Sequence, residues 1–309
     1  MKITNKYELP ETLLNLYHKQ RREYAQTKGK ADMSVTQLIR SPRIDLLTSA
    51  HYHEMTDDVA DRLWAILGTV IHRIMEEGAD EEHIAEENLF AKVKGWTIKG
   101  GTDVKKLGNR VGIIDYKFTK AFKYEKGEFL DWEEQLNLYA YLLRVSQGVY
   151  VDFLQVVMFV RDFTPALAKT RKGYPPASAV PVDIKLWTEA EQKAFLLKKI
   201  DEHQEARRAH EWGEPLPLCT ERDRWKHPGA WIVMKKGGKR ASRVFGSDDA
   251  GKASAAEWLD DQAKKGDYEV QKRDTPPTRC VGNYCGVNQW CDQWAKDKVN
   301  WPEANNEGT

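Results

Sequence analysis

"VGIIDYKFTK", residues 111–120, is the stretch on which the fold turns. Its apolar residues read as a buried strand, yet Asp115 and Lys117 stand in its middle, two positions apart and so on one face. Just upstream, "GGTDVKK" (residues 100–106) reads as a second strand, joined to the first by a turn at "LGN". A Gly108-Asn109-Arg110 loop sets Asp103 directly opposite Asp115, with Cβ atoms roughly 5 Å apart. Two carboxylates that close in a half-buried place repel and raise each other's pKa. A divalent cation between them removes that penalty, and carboxylate oxygens are what Mg²⁺ or Mn²⁺ prefers. Lys117 then lies where it can orient or polarise whatever the metal activates. An isolated D-x-K also reads as a common surface ion pair, so the company it keeps has to decide.

Working outward, "DDVADRLWAILGTVIHRIMEEG" (57–78) has apolar residues at helical spacing and acidic residues in its first turn. "EENLFAKVKGWTIKGGTDVKK" (86–106) reads as strands, "DWEEQLNLYAYLLRVSQ" (131–147) as an amphipathic helix and "VDFLQVVMFV" (151–160) as a buried strand. "VPVDIKL" (180–186) adds a strand before a long charged helix over 188–212, and shorter helices are expected around 11–26 and 34–47. Strands framed by helices in this order predict an α/β core with a mixed sheet flanked by helices. The expected division is an N-terminal helical segment over 1–57, the core over 58–218, a small ββαβ insert over 229–273, and a cysteine-bearing segment with a frayed tail over 274–309.

The chain has 309 residues, 41% of them hydrophobic, enough for one large domain or one domain with a small appendage. Charged residues nearly cancel to a formal net charge of +1, so binding to a polyanion has to come from local basic patches. No apolar run spans a bilayer and no signal-peptide pattern opens the chain, which predicts a soluble cytoplasmic protein. Cys280, Cys285 and Cys291 crowd near the C-terminus, with Cys219 well upstream; in a reducing compartment such clustering points to metal or redox chemistry.

Together, "GGTD" and "IIDYK" resemble motifs II and III of the PD-(D/E)XK nucleases, most closely the RecB-type exonucleases, which include the AddB nuclease domain and the small CRISPR-associated RecB-like exonucleases. "GTVIHRIME" resembles the G-x-x-x-H signature of that branch through Gly68 and His72, and "EENLFAKV" its acidic strand, with Glu86 favoured over Glu87. "QLNLYAYLL" resembles its Q-x-x-x-Y helix through Gln135 and Tyr139. The likeness runs from about residue 33 to 145 and resumes at the cysteines. It implies a restriction-endonuclease-like core and a metal-dependent DNA exonuclease of phage or mobile-element type, acting in recombination, replication or end processing, in the host cytoplasm if phage-encoded. It implies catalytic roles for Asp103, Asp115, Lys117 and Glu86, and Mg²⁺ or Mn²⁺ held by His72, Asp103 and Asp115. Gln135 and Tyr139 would line the DNA channel. Read without the family, His72 could be a hydrogen-bonded core histidine, Glu86 and Glu87 an exposed strand edge, and Gln135 and Tyr139 a packed i, i+4 pair. A structure-specific endonuclease on branched or flapped DNA, or a non-catalytic nuclease-fold DNA-binding subunit, are the other functions this pattern admits.

In the iron–sulfur members of the branch one cysteine precedes the core in a C-P-R context and three follow it. Here that position is Ser41, a departure, and Cys219 is the thiol left to complete a set with Cys280, Cys285 and Cys291. Four thiolates suit a [4Fe–4S] cluster or, alternatively, tetrahedral Zn²⁺; ordinary buried thiols are the remaining reading. Such a centre would pin the C-terminal segment against the start of the insert. In the insert, Lys235, Lys236, Lys239, Arg240 and Arg243 cluster on one hairpin near Trp231 and Tyr268, a composition that fits either nucleic-acid backbone contacts or a solvated hairpin.

Overall fold

Residues Gly112–Thr119 do form a strand, inside a six-stranded mixed sheet. The computed structural model describes residues 1–29, 31–261 and 265–301; the last residues of the expected tail, 302–309, lie outside the described residues. Two compact units result, Met1–Asp45 with His51–Pro215, and Leu46–Ala50 with Leu216–Thr309.

The first unit opens with β1 (Lys2–Thr4), α1 (Glu11–Lys28), β2 (Met33–Ser34), α2 (Val35–Leu38), the start of α3 (Pro42–Ala50) and β3 (Thr56–Asp58). α4 (Leu63–Glu76), β4 (His83–Val93), β5 (Trp96–Lys106), β6 (Gly112–Thr119), α5 (Ala121–Lys126) and α6 (Leu130–Gln147) follow. β7 (Phe153–Val160), α7 (Pro165–Thr170), β8 (Ala179–Ile184) and α8 (Glu189–Glu211) complete it. Lys94 and Gly95 both take positive φ, 48° and 82°, the backbone that a two-residue hairpin between β4 and β5 demands.

β5 is the hub of the sheet. β4 pairs with it antiparallel along its whole length. On its other side β2 pairs at Ile98 and Lys99, while β6 pairs only at Val104, Lys105 and Lys106. Residues 100–103 therefore face a gap between two strand partners. α6 closes over it. Gly100 makes the close approach possible, since a Cβ there would lie 2.7 Å from Leu142 Cδ1 and 2.9 Å from Tyr139 Cδ1. Leu136, Leu138, Leu142 and Leu143 of α6 are fully buried with Ile98, Ile113, Leu154, Val156 and Met158 of the sheet. Each such side chain contributes about 1.5–3 kcal/mol by leaving water. α6 was expected to be amphipathic; it is buried on nearly every side between Trp132 and Leu143. β7 alternates buried and half-buried residues instead of being wholly buried.

The helix expected over 57–78 starts later. Asp57 and Asp58 belong to β3, which runs parallel to β1. Asp57 accepts hydrogen bonds from Tyr17 Oη and, at 2.6 Å, Arg62 Nε. Asp58 accepts from Thr4 Oγ1 at 2.7 Å and from the backbone of Lys6 and Ala60 at 2.9 and 3.0 Å. These bonds spend the carboxylates on tertiary contacts, so they are not a helix first turn. Of the predicted apolar stripe, Ile66 is buried against Tyr17 and Val59, whereas Leu63 and Ile74 are 37% and 52% exposed.

The second unit holds β9 (Ala230–Lys235), β10 (Ala241–Phe245), α9 (Asp249–Asp261), β11 (Tyr268–Arg273), α10 (Thr278–Val281) and α11 (Asp292–Asp297). The three strands form an antiparallel sheet in the order β10-β9-β11, with Ile232, Val233 and Met234 of the central strand buried and α9 packed on it. No helix among the described residues is long and apolar enough to cross a membrane.

Candidate active site

Strand register builds the site. Ala85 pairs with Val104 and Glu87 with Thr102, so Glu86 stands opposite Asp103. Val104 pairs with Ile114, and one step further along the same register brings Asp103 to Asp115. The ladder breaks there because the Asp103 carboxylate replaces it, with Oδ2 accepting the backbone N–H of Tyr116 at 2.7 Å. Glu86 takes a left-handed backbone, φ 51°, in the middle of its strand. That conformation is strained for a non-glycine residue, and such strain concentrates at functional positions.

α4 packs against β6 and carries His72 to this row, the imidazole edge-on to the Tyr116 ring at 6.3 Å between centroids. Its Nδ1 lies 3.3 Å from Asp103 Oδ1 and 3.6 Å from Glu86 Oε1. One ligand atom from each of His72, Glu86 and Asp103 falls within 4.8 Å of the others, the only group of three such residues among those described. Asp115 is fully buried beside them and pairs with Lys117, Nζ to Oδ2 2.6 Å.

The electrostatics follow from packing three carboxylates together. The carboxylates of Asp103 and then Glu86, both facing Nδ1, raise the His72 imidazole to about 10, against the opposing pull of burial. Burial pushes the Asp115 carboxyl up; Lys117 opposes this and the Asp103 charge adds to it. Burial works against the Lys117 ammonium, but Asp115 and Asp103 outweigh it and lift its pKa, so the lysine stays charged. The Tyr139 phenol is also pushed up, first by burial and then by the Asp115 charge, and it receives a hydrogen bond from Gln135 Nε2 at 2.7 Å. Three carboxylates and one imidazole converging here, with only Lys117 and the protonated His72 to balance them, give the donor set of a cation site: one imidazole and hard oxygens.

The predicted residues thus separate by place. His72, Glu86, Asp103, Asp115, Lys117, Gln135 and Tyr139 lie in the first unit, and the first three form the tight group. Glu87 faces a different network, with Oε2 2.7 Å from Lys105 Nζ and Oε1 accepting from Gln147 Nε2 at 2.9 Å. The register offers no hint of this Lys105–Gln147 partnership, which joins β5 to the end of α6. The basic residues Lys235, Lys236, Lys239, Arg240 and Arg243 are exposed in the second unit. There Arg243 sits over the rings of Phe245 and Trp258, and Lys252 and Lys272 over Trp231.

All four cysteines are also in the second unit, none in a disulfide, whereas Ser41 is buried in the first. The Gln293 side chain clamps the Cys219 backbone, accepting its N–H at 2.8 Å and donating to its carbonyl at 3.1 Å, two residues from Cys291. Burial raises the Cys280 thiol, the Arg224 guanidinium opposes this, and the neighbouring Cys285 and Cys291 add to it. No three of the thiols come within the 4.8 Å spread of the His72 group. The donor types suit a thiolate-bound metal, and the spread is wider than the sulfurs around one tetrahedral Zn²⁺.

No known family model matches the chain, and no curated protein does either. Among solved structures it is similar to SSO0001, at 18% identity and a TM-score of 0.46, over 63% of this chain and 88% of that one. It is also similar to an alkaline exonuclease (LHK-Exo) from Laribacter hongkongensis, at 15% identity and a TM-score of 0.26, over 46% of this chain and 69% of that one. Both likenesses are partial.

Proposed function

We propose that the protein is a metal-dependent nuclease of the PD-(D/E)XK type, with a restriction-endonuclease-like core, that hydrolyses DNA phosphodiester bonds from ends. One observation carries the reading: His72, Glu86 and Asp103 converge within 4.8 Å beside the buried Asp115–Lys117 pair. The order of the G-x-x-x-H, acidic-strand, D…D-x-K and Q-x-x-x-Y segments supports it, and the RecB/AddB branch and a phage or mobile-element source are part of the same proposal.

His72, Glu86, Asp103 and Asp115 would hold Mg²⁺ or Mn²⁺, which would activate water for attack and neutralise charge at the phosphate. Tyr116 N–H fixes one Asp103 oxygen, leaving Oδ1 turned to His72. Lys117, held charged by Asp115, is a poor proton acceptor; its role is to stabilise negative charge developing on the phosphate oxygens. Tyr139, buried in the core, keeps its proton and braces the half-buried Gln135 amide, which would be the donor to the substrate backbone. In the second unit the basic hairpin would hold nucleic-acid backbone, and Cys219, Cys280, Cys285 and Cys291 would bind a [4Fe–4S] cluster or Zn²⁺.

The test is a time course on end-labelled linear, nicked and circular DNA with Mg²⁺ or Mn²⁺. Short products released from ends are expected, with Asp103→Ala, Asp115→Ala and Lys117→Ala each lowering turnover at least a hundredfold. Internal cuts in circular DNA would make it an endonuclease, and no cutting by the unaltered protein would overturn the nuclease reading.

A further inference from the structure

α4 carries a second aromatic feature that the catalytic reading leaves unused. Trp64 lies eight residues before His72 on α4, about 12 Å along the axis at 1.5 Å per residue. Its indole is 49% exposed, large for a tryptophan, and rests on Phe118 of β6 at 5.9 Å between ring centroids. Phe118 directly follows Lys117 in the strand, just as Tyr116, the ring that His72 meets, directly precedes it. The Arg161 guanidinium stands over the same indole at 4.6 Å, with no ion pair to a carboxylate among the described residues. Arg161 leaves the end of β7 where its N–H binds Thr119 O at 2.9 Å, so it emerges beside the exposed Lys120. β6 and β7 run parallel, and the carboxyl ends of parallel strands are where open α/β sheets bind ligands.

The geometry points to Trp64 and Arg161 as a stacking platform for one unpaired base of a single-stranded DNA end, with Arg161 and Lys120 on its phosphates. The half-exposed guanidinium–indole stack offers a flat surface that any base can use, and a guanidinium without a carboxylate partner is available to a phosphate. The distance to His72 corresponds to roughly three stacked nucleotides at 3.4 Å each. The platform thus grips the strand a few nucleotides from the scissile bond and makes an unpaired end the preferred substrate. This inference rests on the nuclease reading, which bis(4-nitrophenyl) phosphate tests separately, because that small diester does not reach Trp64.

The experiment measures three things: Ca²⁺-supported binding of an oligonucleotide with a single-stranded overhang, photocrosslinking of 5-iodouracil placed along that overhang, and Mn²⁺-dependent hydrolysis of bis(4-nitrophenyl) phosphate. Trp64→Ala should weaken overhang binding about tenfold, Trp64→Phe should restore most of it, and Arg161→Gln should weaken it and flatten its salt dependence. Hydrolysis of the small diester should not change in any of the three. In the unaltered protein the crosslink should map to the tryptic peptide of residues 63–73, which decides the matter even if Trp64→Ala folds poorly. Wild-type overhang binding by Trp64→Ala, or crosslinks only elsewhere, would overturn the platform. Failure of the unaltered protein to hydrolyse both the diester and end-labelled DNA, with overhang binding still dependent on Trp64, would overturn the nuclease reading and leave the platform standing.

Discussion

At the scale of single residues, His72 and Asp115 set how the metal-free protein responds to pH. Both are raised in the folded state, His72 to about 10, so each favours folding when protonated. The His72 contribution is complete below its unfolded value of 6.5 and is lost as pH rises through about 10; the Asp115 contribution is complete below 3.8 and fades above it. In EDTA, thermal stability should therefore fall from mildly acidic pH towards pH 10, by at most about 1.4 kcal/mol per pH unit for each group. His72→Gln should flatten the alkaline part of the curve, and Mn²⁺ binding to the unaltered protein near neutral pH should release protons in calorimetry across buffers of different ionisation enthalpy. A flat curve in EDTA would show that His72 does not meet its two carboxylates. The Asp103–Asp115 relation was legible in the sequence, because a short loop fixes a hairpin's register. Glu86 was favoured over Glu87 only through the family resemblance; adjacent strand residues face opposite ways, and the structure sets Glu86, opposite Asp103, on the side that receives the imidazole.

At the scale of elements, the close pass of α6 over β5 depends on Gly100. Gly100→Ala places a methyl group against Leu142 and Tyr139, and overpacking of this kind costs about 1–3 kcal/mol. The variant should melt several degrees lower and cleave DNA more slowly, because Tyr139 and Gln135 must shift. Gly101→Ala is the control, since its added Cβ meets only the Glu87 carbonyl at 4.0 Å. Equal melting curves for the two variants would sink the argument. α6 could be placed from its periodicity and the β5–β6 hairpin from its turn residues, but the start of α4 could not. The bonds from Asp57 and Asp58 to Tyr17, Thr4 and Lys6 join segments far apart in the chain, and no local pattern announces them.

At the scale of the whole molecule, a nearly neutral chain divides its chemistry between two units, with carboxylates clustered in one and thiols and a basic hairpin in the other. Anaerobically purified protein should contain iron and sulfide, or about one zinc per chain. Cys219→Ser should lower that content together with the melting temperature; metal analysis finding neither would remove the thiol centre. Cys280, Cys285 and Cys291 were visible as a cluster from spacing, but the role of Gln293 in holding Cys219 was not, since that pairing joins positions 74 residues apart. One consequence of the β5 hub concerns how the protein comes to be folded. The candidate metal ligands and Lys117 all arise between residues 72 and 117, on a helix followed by two successive hairpins, while β2, β7 and β8 reach the sheet from outside that stretch. Bringing the ligands together thus closes only short loops, whose entropy cost is small, whereas completing the sheet closes long ones. The site's charged cluster can form early, and the late-arriving strands and α6 then bury it.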